Sequence, residues 1–146
     1  MAEILRVGIA GVGTVGASVV RLLAQQDEAL TARTGRKIVV TGISARDPGK
    51  DRGFDASGMK FFDDPVRLAA SQDIDLFVEL IGGDEGPARV SVETALKNGK
   101  GVVTANKALL AKHGLALAAL AEEKRVPLAY EASVAGGIPI VKTLRE

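Results

Sequence analysis

The apolar residues fall into short blocks that alternate between two spacings. Residues 5–10 (Leu-Arg-Val-Gly-Ile-Ala) form a mostly apolar run of strand length. From 14 to about 26 the spacing lengthens, with Val15, Val19, Leu22 and Leu23 recurring at helical intervals. A β-branched run at 36–43 restores the strand pattern and completes a strand-helix-strand unit. Asp64-Pro65 reads as an N-cap followed by a first-turn proline, opening a short helix to about 71. Residues 75–81 form a third buried strand, and 88–98 a helix stopped by Asn98-Gly99. A fourth strand at 101–104, a long Ala/Leu helix at 108–124 and a fifth strand at 127–131 follow. Gly136, Gly137 and Pro139 then bend the chain into a last helix. This alternation predicts an α/β fold: a Rossmann-type, doubly wound parallel sheet with helices on both faces.

A chain of 146 residues is one domain, and it buries roughly 68 to 70% of its unfolded surface, enough for a real core. Lys plus Arg number 19 against 18 Asp plus Glu, a net charge of +1, so no global field draws nucleic acid or an anionic membrane. Neither partner is expected. Cysteine is absent, which removes disulfides, thiolate metal sites and a cysteine nucleophile and fits a reducing compartment. Glu3, Arg6 and Arg21 interrupt the apolar N-terminus where a signal peptide would run unbroken. No targeting or membrane segment is expected, and the cytoplasm is the expected location.

Between the first strand and the first helix stands Gly11-Val12-Gly13-Thr14-Val15-Gly16. The first glycine of such a hexad permits the tight turn, the second lets backbone N–H groups approach a pyrophosphate, and the third lets helix and strand pack closely. The phosphates then sit on the positive end of the helix. A strand before and a helix after give the hexad the context that dinucleotide binding needs.

The long irregular stretch 44–58 follows the second strand, where the adenosine ribose of a dinucleotide lies. An NAD site places a carboxylate there, and an NADP site places an arginine near the 2′-phosphate. Here Ser44 and Arg46 occupy the strand tip, and a planar guanidinium suits a phosphate. NADP is favoured, with NAD left open by Asp47, one residue further on. Arg46 also fits an ordinary solvated loop, as Lys50 and Arg52 do.

Leu80-Ile81-Gly82-Gly83 ends the third predicted strand, where small residues at the ligand crevice admit a flat ring. Glu79, inside an apolar run, is costly to bury without partners, and both structural pairing and function remain open for it. Thr104-Ala105-Asn106-Lys107 closes the fourth strand. Asn106 is a good N-cap, but Lys107 places a cation in the first turn, against the helix dipole, at a cost of about 0.3 to 1 kcal/mol. A ligand would explain that cation, and so would a tolerated surface lysine. His113, the one histidine, reads as a surface residue, with no partner at metal-ligand spacing.

Four segments together resemble the homoserine dehydrogenase family: 9–16, 79–83, Val-Thr-Ala-Asn-Lys-Ala-Leu-Leu-Ala at 103–111, and Tyr-Glu-Ala-Ser-Val-Ala-Gly-Gly-Ile-Pro-Ile at 130–140. The resemblance implies reversible hydride transfer between a nicotinamide coenzyme and the L-homoserine / L-aspartate 4-semialdehyde pair, in threonine, methionine and isoleucine biosynthesis. Coenzyme contacts are expected at Gly11, Val12, Gly13, Thr14, Val15, Gly16, Ser44, Arg46, Gly82, Gly83, Thr104 and Lys107, and the resemblance makes Lys107 also a catalytic candidate for carbonyl polarisation or proton relay. The resemblance also implies a monovalent cation, sodium, held by the Glu131 side chain and the carbonyls of Val134, Gly136 and Ile138; an oxygen-only set suits a hard cation.

The family pattern continues past Glu146. The chain is therefore expected to be the coenzyme domain of a longer homodimeric or higher enzyme, with a substrate-binding and dimerisation domain beginning near 138–146 and the acid/base residues beyond. By itself the fragment is expected to be inactive. A stand-alone dinucleotide module or redox sensor, and a related amino-acid dehydrogenase or semialdehyde reductase, are the alternatives.

Overall fold

The computed structural model describes residues 2–134 and 140–145. Strand β1 (Glu3–Ala10) runs into helix α1 (Thr14–Gln25), then α2 (Asp27–Thr34), β2 (Arg36–Ser44), β3 (Lys60–Phe62) and α3 (Pro65–Ala70). The second part comprises β4 (Leu76–Glu79), α4 (Pro87–Lys97), β5 (Gly101–Thr104), α5 (Lys107–Lys124), β6 (Leu128–Ala129), a 3-10 turn (Glu131–Ser133) and α6 (Ile140–Arg145). The strands pair in the order β3-β2-β1-β4-β5-β6, every pair parallel. The chain moves outward from β1 in one direction through β2 and β3, then crosses back to β4 on the other side. The reversal opens a crevice at the carboxyl ends of β1 and β4, where α/β sheets of this kind bind ligands.

Both faces of the sheet are covered. Val7, Ile9, Val40, Ile43 and Val78 pack with Val12 and with Val20 of α1 on one side. Leu68 and Ala69 of α3, Val92, Ala95 and Leu96 of α4, and Leu109, Leu117 and Ala121 of α5 pack against Ala10, Phe77 and Val102 on the other. Period-two alternation along each strand divides the apolar residues between the two layers. At the opposite end of the sheet, Arg6 grips Asp75 through two guanidinium nitrogens at 2.8 and 3.2 Å. The Arg6 amide also donates to Asp75 at 2.8 Å, which fixes β1 to the lead-in of β4.

The expected elements are present with shifted ends, and two more appear. α2 has no buried residue and almost no apolar stripe, so period gave no sign of it; acidic residues in its first turn and left-handed Gly35 at its end define it instead. β3 is three residues long and pairs at the sheet edge with Gly42 to Ser44. Asp64 caps α3 as expected, accepting from the Val66 amide at 2.9 Å. The strand expected at 75–81 stops at Glu79, and the strand expected at 127–131 stops at Ala129 because the chain turns into a 3-10 helix at Glu131. The bend expected at Gly136, Gly137 and Pro139 lies outside the described residues.

Candidate coenzyme site

One row of residues crosses the sheet at its carboxyl end. Phe62, Ser44, Ala10, Glu79 and Thr104 stand side by side on β3, β2, β1, β4 and β5. Three of the five are polar, and all three are buried: Ser44 is 3% exposed, and Glu79 and Thr104 have no exposure. Above this row lie the turns that carry the expected site residues.

The glycine turn leaves β1 directly after Ala10. Gly11 takes φ +91°, and a Cβ built on it would stand 2.6 Å from the Leu80 carbonyl oxygen. Only glycine fits both conditions. Its amide donates to the Ser44 carbonyl at 3.0 Å, which ties the turn to β2. Val12 points into the core at 2% exposure. Gly16 is buried, and a side chain there would collide with the Gly11 carbonyl. Gly13, by contrast, has open space on its Cβ side. It is the N-cap of α1, provides no side-chain cap, and is followed by a first turn without an acidic residue. The amides of Thr14, Val15 and Gly16 therefore have no acceptor within their helix, and the positive end of α1 is unneutralised. Thr14 and Val15 are exposed.

On the β2 side, no hydrogen bond to the Ser44 hydroxyl is found among the described residues. Arg46 is exposed, and its guanidinium makes no hydrogen bond or ion pair among the described residues. Asp47 turns back on its own loop, its carboxylate accepting from the Gly49 amide at 2.9 Å. Arg52 binds the carbonyls of Asp47 and Lys50, and Arg21 of α1 donates to the Arg52 carbonyl at 2.8 Å. Arg52 thus shapes the loop, Lys50 is exposed, and Arg46 is left as the available cation at the strand tip. A cavity of about 170 Å³ lined by Ile43, Pro48, Lys50, Arg52, Phe54 and Met59 lies beside it.

The β4 and β5 side is held by a buried polar network. One Glu79 oxygen accepts from the amides of Ile81 at 2.7 Å and Gly82 at 3.0 Å. The other accepts from the Thr104 hydroxyl at 2.7 Å. That hydroxyl in turn accepts from the Asn106 amide at 3.0 Å. Asn106 caps α5 through the Leu109 amide at 3.0 Å and donates from Nδ2 to the Gly83 carbonyl at 2.6 Å. Ser133 donates to the Thr104 carbonyl at 2.7 Å, bringing in the turn after β6. Gly82 and Gly83 are exposed at the rim, both with positive φ. Lys107 opens α5, is exposed, and forms no ion pair among the described residues. The network answers the question left open for Glu79 in part: its burial is offset by three hydrogen bonds from neutral donors.

Sequence reasoning missed a second cluster just outside the site. Glu85 accepts from His113 at 2.7 Å and from Arg89 at 3.0 Å, and Lys112 lies 3.1 Å from it and 3.3 Å from Asp84. These bonds hold the Glu85 carboxyl at about 2, with His113 the largest cause, followed by Arg89 and Lys112. His113 is not the free surface residue expected: its side chain is 15% exposed because it packs toward the loop before α4. The partners are 28 residues apart in sequence, so only helix packing brings them together. At the far end, the Glu131 carboxylate accepts from the Lys142 amide at 3.2 Å, and Val134 is exposed. Gly136 and Ile138 lie outside the described residues.

A doubly wound parallel sheet with an open, uncapped glycine turn at its switch point defines a dinucleotide-binding domain. Residues 11–131 match the family described as homoserine dehydrogenase, NAD binding domain. The chain belongs to that family and is an NAD(P)-binding domain. It is 47% identical over 141 residues to homoserine dehydrogenase of Corynebacterium glutamicum, covering 95% of this chain and 31% of that protein. The crystal structure of a homoserine dehydrogenase from Thiobacillus denitrificans is 44% identical and superposes with a TM-score of 0.89, over 99% of this chain and 33% of that one. A hyperthermophilic archaeal homoserine dehydrogenase in complex with NADPH is 25% identical with a TM-score of 0.79, over 97% of this chain and 48% of that one. The chain spans about a third of the length of the curated relatives it matches. No helix among the described residues is long and apolar enough to cross a membrane.

Proposed function

We propose that this chain is the coenzyme-binding domain of an enzyme that interconverts L-homoserine and L-aspartate 4-semialdehyde using NADP. The observation that carries the reading is the first turn of α1, which is uncapped, free of acidic residues and open at Gly13. A pyrophosphate fits there, because the free amides and helix dipole favour an anion and no side chain obstructs it. With the pyrophosphate on this turn, the adenosine end runs toward β2, where the Ser44 hydroxyl and the Arg46 guanidinium, neither with a partner among the described residues, are available for a 2′-phosphate. The inward-turned carboxylate of Asp47 supports NADP over NAD. The archaeal relative described with NADPH is consistent with that choice.

When bound, the nicotinamide supplies or accepts the hydride. Lys107 at the mouth of α5 polarises the substrate carbonyl or relays the alkoxide proton; it is exposed in the first turn and forms no ion pair among the described residues, which leaves it available for that task. Gly82 and Gly83 form the wall beside the ring, while Thr104 supports that wall from below through Glu79. A sodium ion would be held by the Glu131 carboxylate and the Val134 carbonyl, and the two further carbonyls expected for it, those of Gly136 and Ile138, lie outside the described residues. Glu131 and Val134 contribute only oxygen donors, as a hard cation requires, and Glu131 also binds the first turn of α6. Substrate and subunit contacts belong to a further domain that follows this one, in a cytoplasmic homodimer or larger assembly.

Two measurements test the proposal. Titration by nicotinamide fluorescence is expected to show NADPH bound more tightly than NADH, and absence of binding to either defeats the coenzyme reading. The enzyme carrying this domain is expected to oxidise L-homoserine with NADP, with Lys107→Ala lowering kcat. Coenzyme binding without homoserine oxidation at any pH would favour a redox sensor.

A further inference from the structure

We infer that the buried Glu79 carboxylate biases the site toward the oxidised, positively charged nicotinamide coenzyme. The inference rests on the coenzyme reading above and adds a role for a residue beneath the crevice floor. Glu79 has no solvent exposure, and no lysine, arginine or histidine forms an ion pair with it among the described residues. Its partners are two amides and a hydroxyl, all neutral. The Thr104 hydroxyl already accepts from the Asn106 amide, so its proton points to Glu79, and all three donors meet an acceptor-only carboxylate. The charge is hydrogen-bonded but has no neutralising cation among the described residues.

Its position follows from the sheet register. Glu79 lies beside Ala10, the residue before the glycine turn, and beside Thr104, three residues before Lys107. A coenzyme with its pyrophosphate on α1 and its adenosine toward β2 must carry its nicotinamide over the ends of β4 and β5. Glu79 bonds the amides of the loop that walls this space. The oxidised and reduced coenzymes carry the same phosphate and ribose groups; they differ at the nicotinamide, where the oxidised ring bears one more positive charge. A buried anion below the ring therefore acts on the difference between them, in a region that water screens poorly. Lys107 has the opposite sign but is exposed, so solvent and salt screen it.

The test compares dissociation constants for NADP+ and NADPH, by calorimetry, in the wild type, Glu79→Gln and Glu79→Asp. Expected is a rise of about fivefold in the ratio Kd(NADP+)/Kd(NADPH) in Glu79→Gln, from loss of one poorly screened charge, with Glu79→Asp staying near the wild-type ratio. A merely structural Glu79 would weaken both coenzymes alike, and an unchanged ratio in Glu79→Gln overturns the inference. Should Glu79→Gln fail to fold, the wild type decides: NADP+ is expected to bind at least as tightly as NADPH, and a clear preference for NADPH overturns the inference. A wild type that binds neither form defeats the coenzyme reading instead.

Discussion

The Glu79 carboxylate and the Thr104 hydroxyl meet at 2.7 Å on adjacent strands, neither residue exposed to solvent. Through them the loop carrying Gly82 and Gly83 is joined to the turn carrying Asn106 and Lys107. These hydrogen bonds tie the two segments to each other at the carboxyl ends of β4 and β5. A buried polar network of this kind is stabilising only when its members are satisfied, and here both Glu79 oxygens, the Thr104 hydroxyl and the Asn106 side-chain oxygen each have a partner.

Gly13 is the position where the fold and the proposed ligand make different demands. Because nothing stands within 4 Å of a Cβ there, Gly13→Val is expected to fold, at a stability cost of about 1 kcal/mol for a poorer N-cap. It is expected to weaken coenzyme binding by about tenfold or more, by obstructing the phosphates. Calorimetric titration checks this, and unchanged affinity would remove the turn from the site.

Arg46 separates the two coenzymes. With no partner among the described residues, its guanidinium costs nothing to remove structurally, so Arg46→Ala is expected to keep the wild-type melting temperature. NADPH affinity is expected to fall by about tenfold, the loss of a charge-assisted phosphate contact, with little change for NADH. Equal losses for both would place the 2′-phosphate elsewhere.

Asn106 combines a helix cap with a bridge to Gly83. Asn106→Ala is expected to destabilise the protein by about 1–2 kcal/mol, as for loss of an N-cap and a partly buried hydrogen bond. Denaturant unfolding measures it. Asn106→Asp retains the cap but loses the Gly83 bond, so an intermediate value is expected.

Glu85 gives a pH dependence with a definite sign. Its folded-state carboxyl lies at about 2, below the usual 4.5. Its contribution is therefore fully present above about 4.5 and is lost as pH falls toward 2. NMR titration of the Glu85 carboxyl carbon is expected to show a midpoint near 2, rising in His113→Ala because His113 is the largest cause. A wild-type midpoint near 4.5 would mean that the clasp between this loop and α5 does not form in solution.

Much of this domain was legible along the chain because the signals are local. The strand before Gly11, the glycines at 11, 13 and 16, the Asp64 and Asn106 caps and the stop at Gly99 each depend on a few neighbouring residues, whose backbone preferences act wherever the fold places them. The α/β class followed from the alternation of periods for the same reason. α2 escaped notice because it buries no residue, and β3 because it is only three residues long, so neither leaves a periodic apolar pattern to read.

Tertiary structure decided what depends on residues distant in sequence. Whether Glu79 is paired could not be read from its neighbours, since one of its partners is Thr104, 25 residues away and adjacent only through β4–β5 register. His113 was legible as a lone histidine but not as the partner of Glu85, because helix packing creates that contact. Sequence by itself settled which backbone turns and caps this chain forms, through short-range sterics and hydrogen bonding. Only the assembled sheet settled which charges are buried and which face the crevice, because burial and pairing are properties of neighbours brought together by the fold.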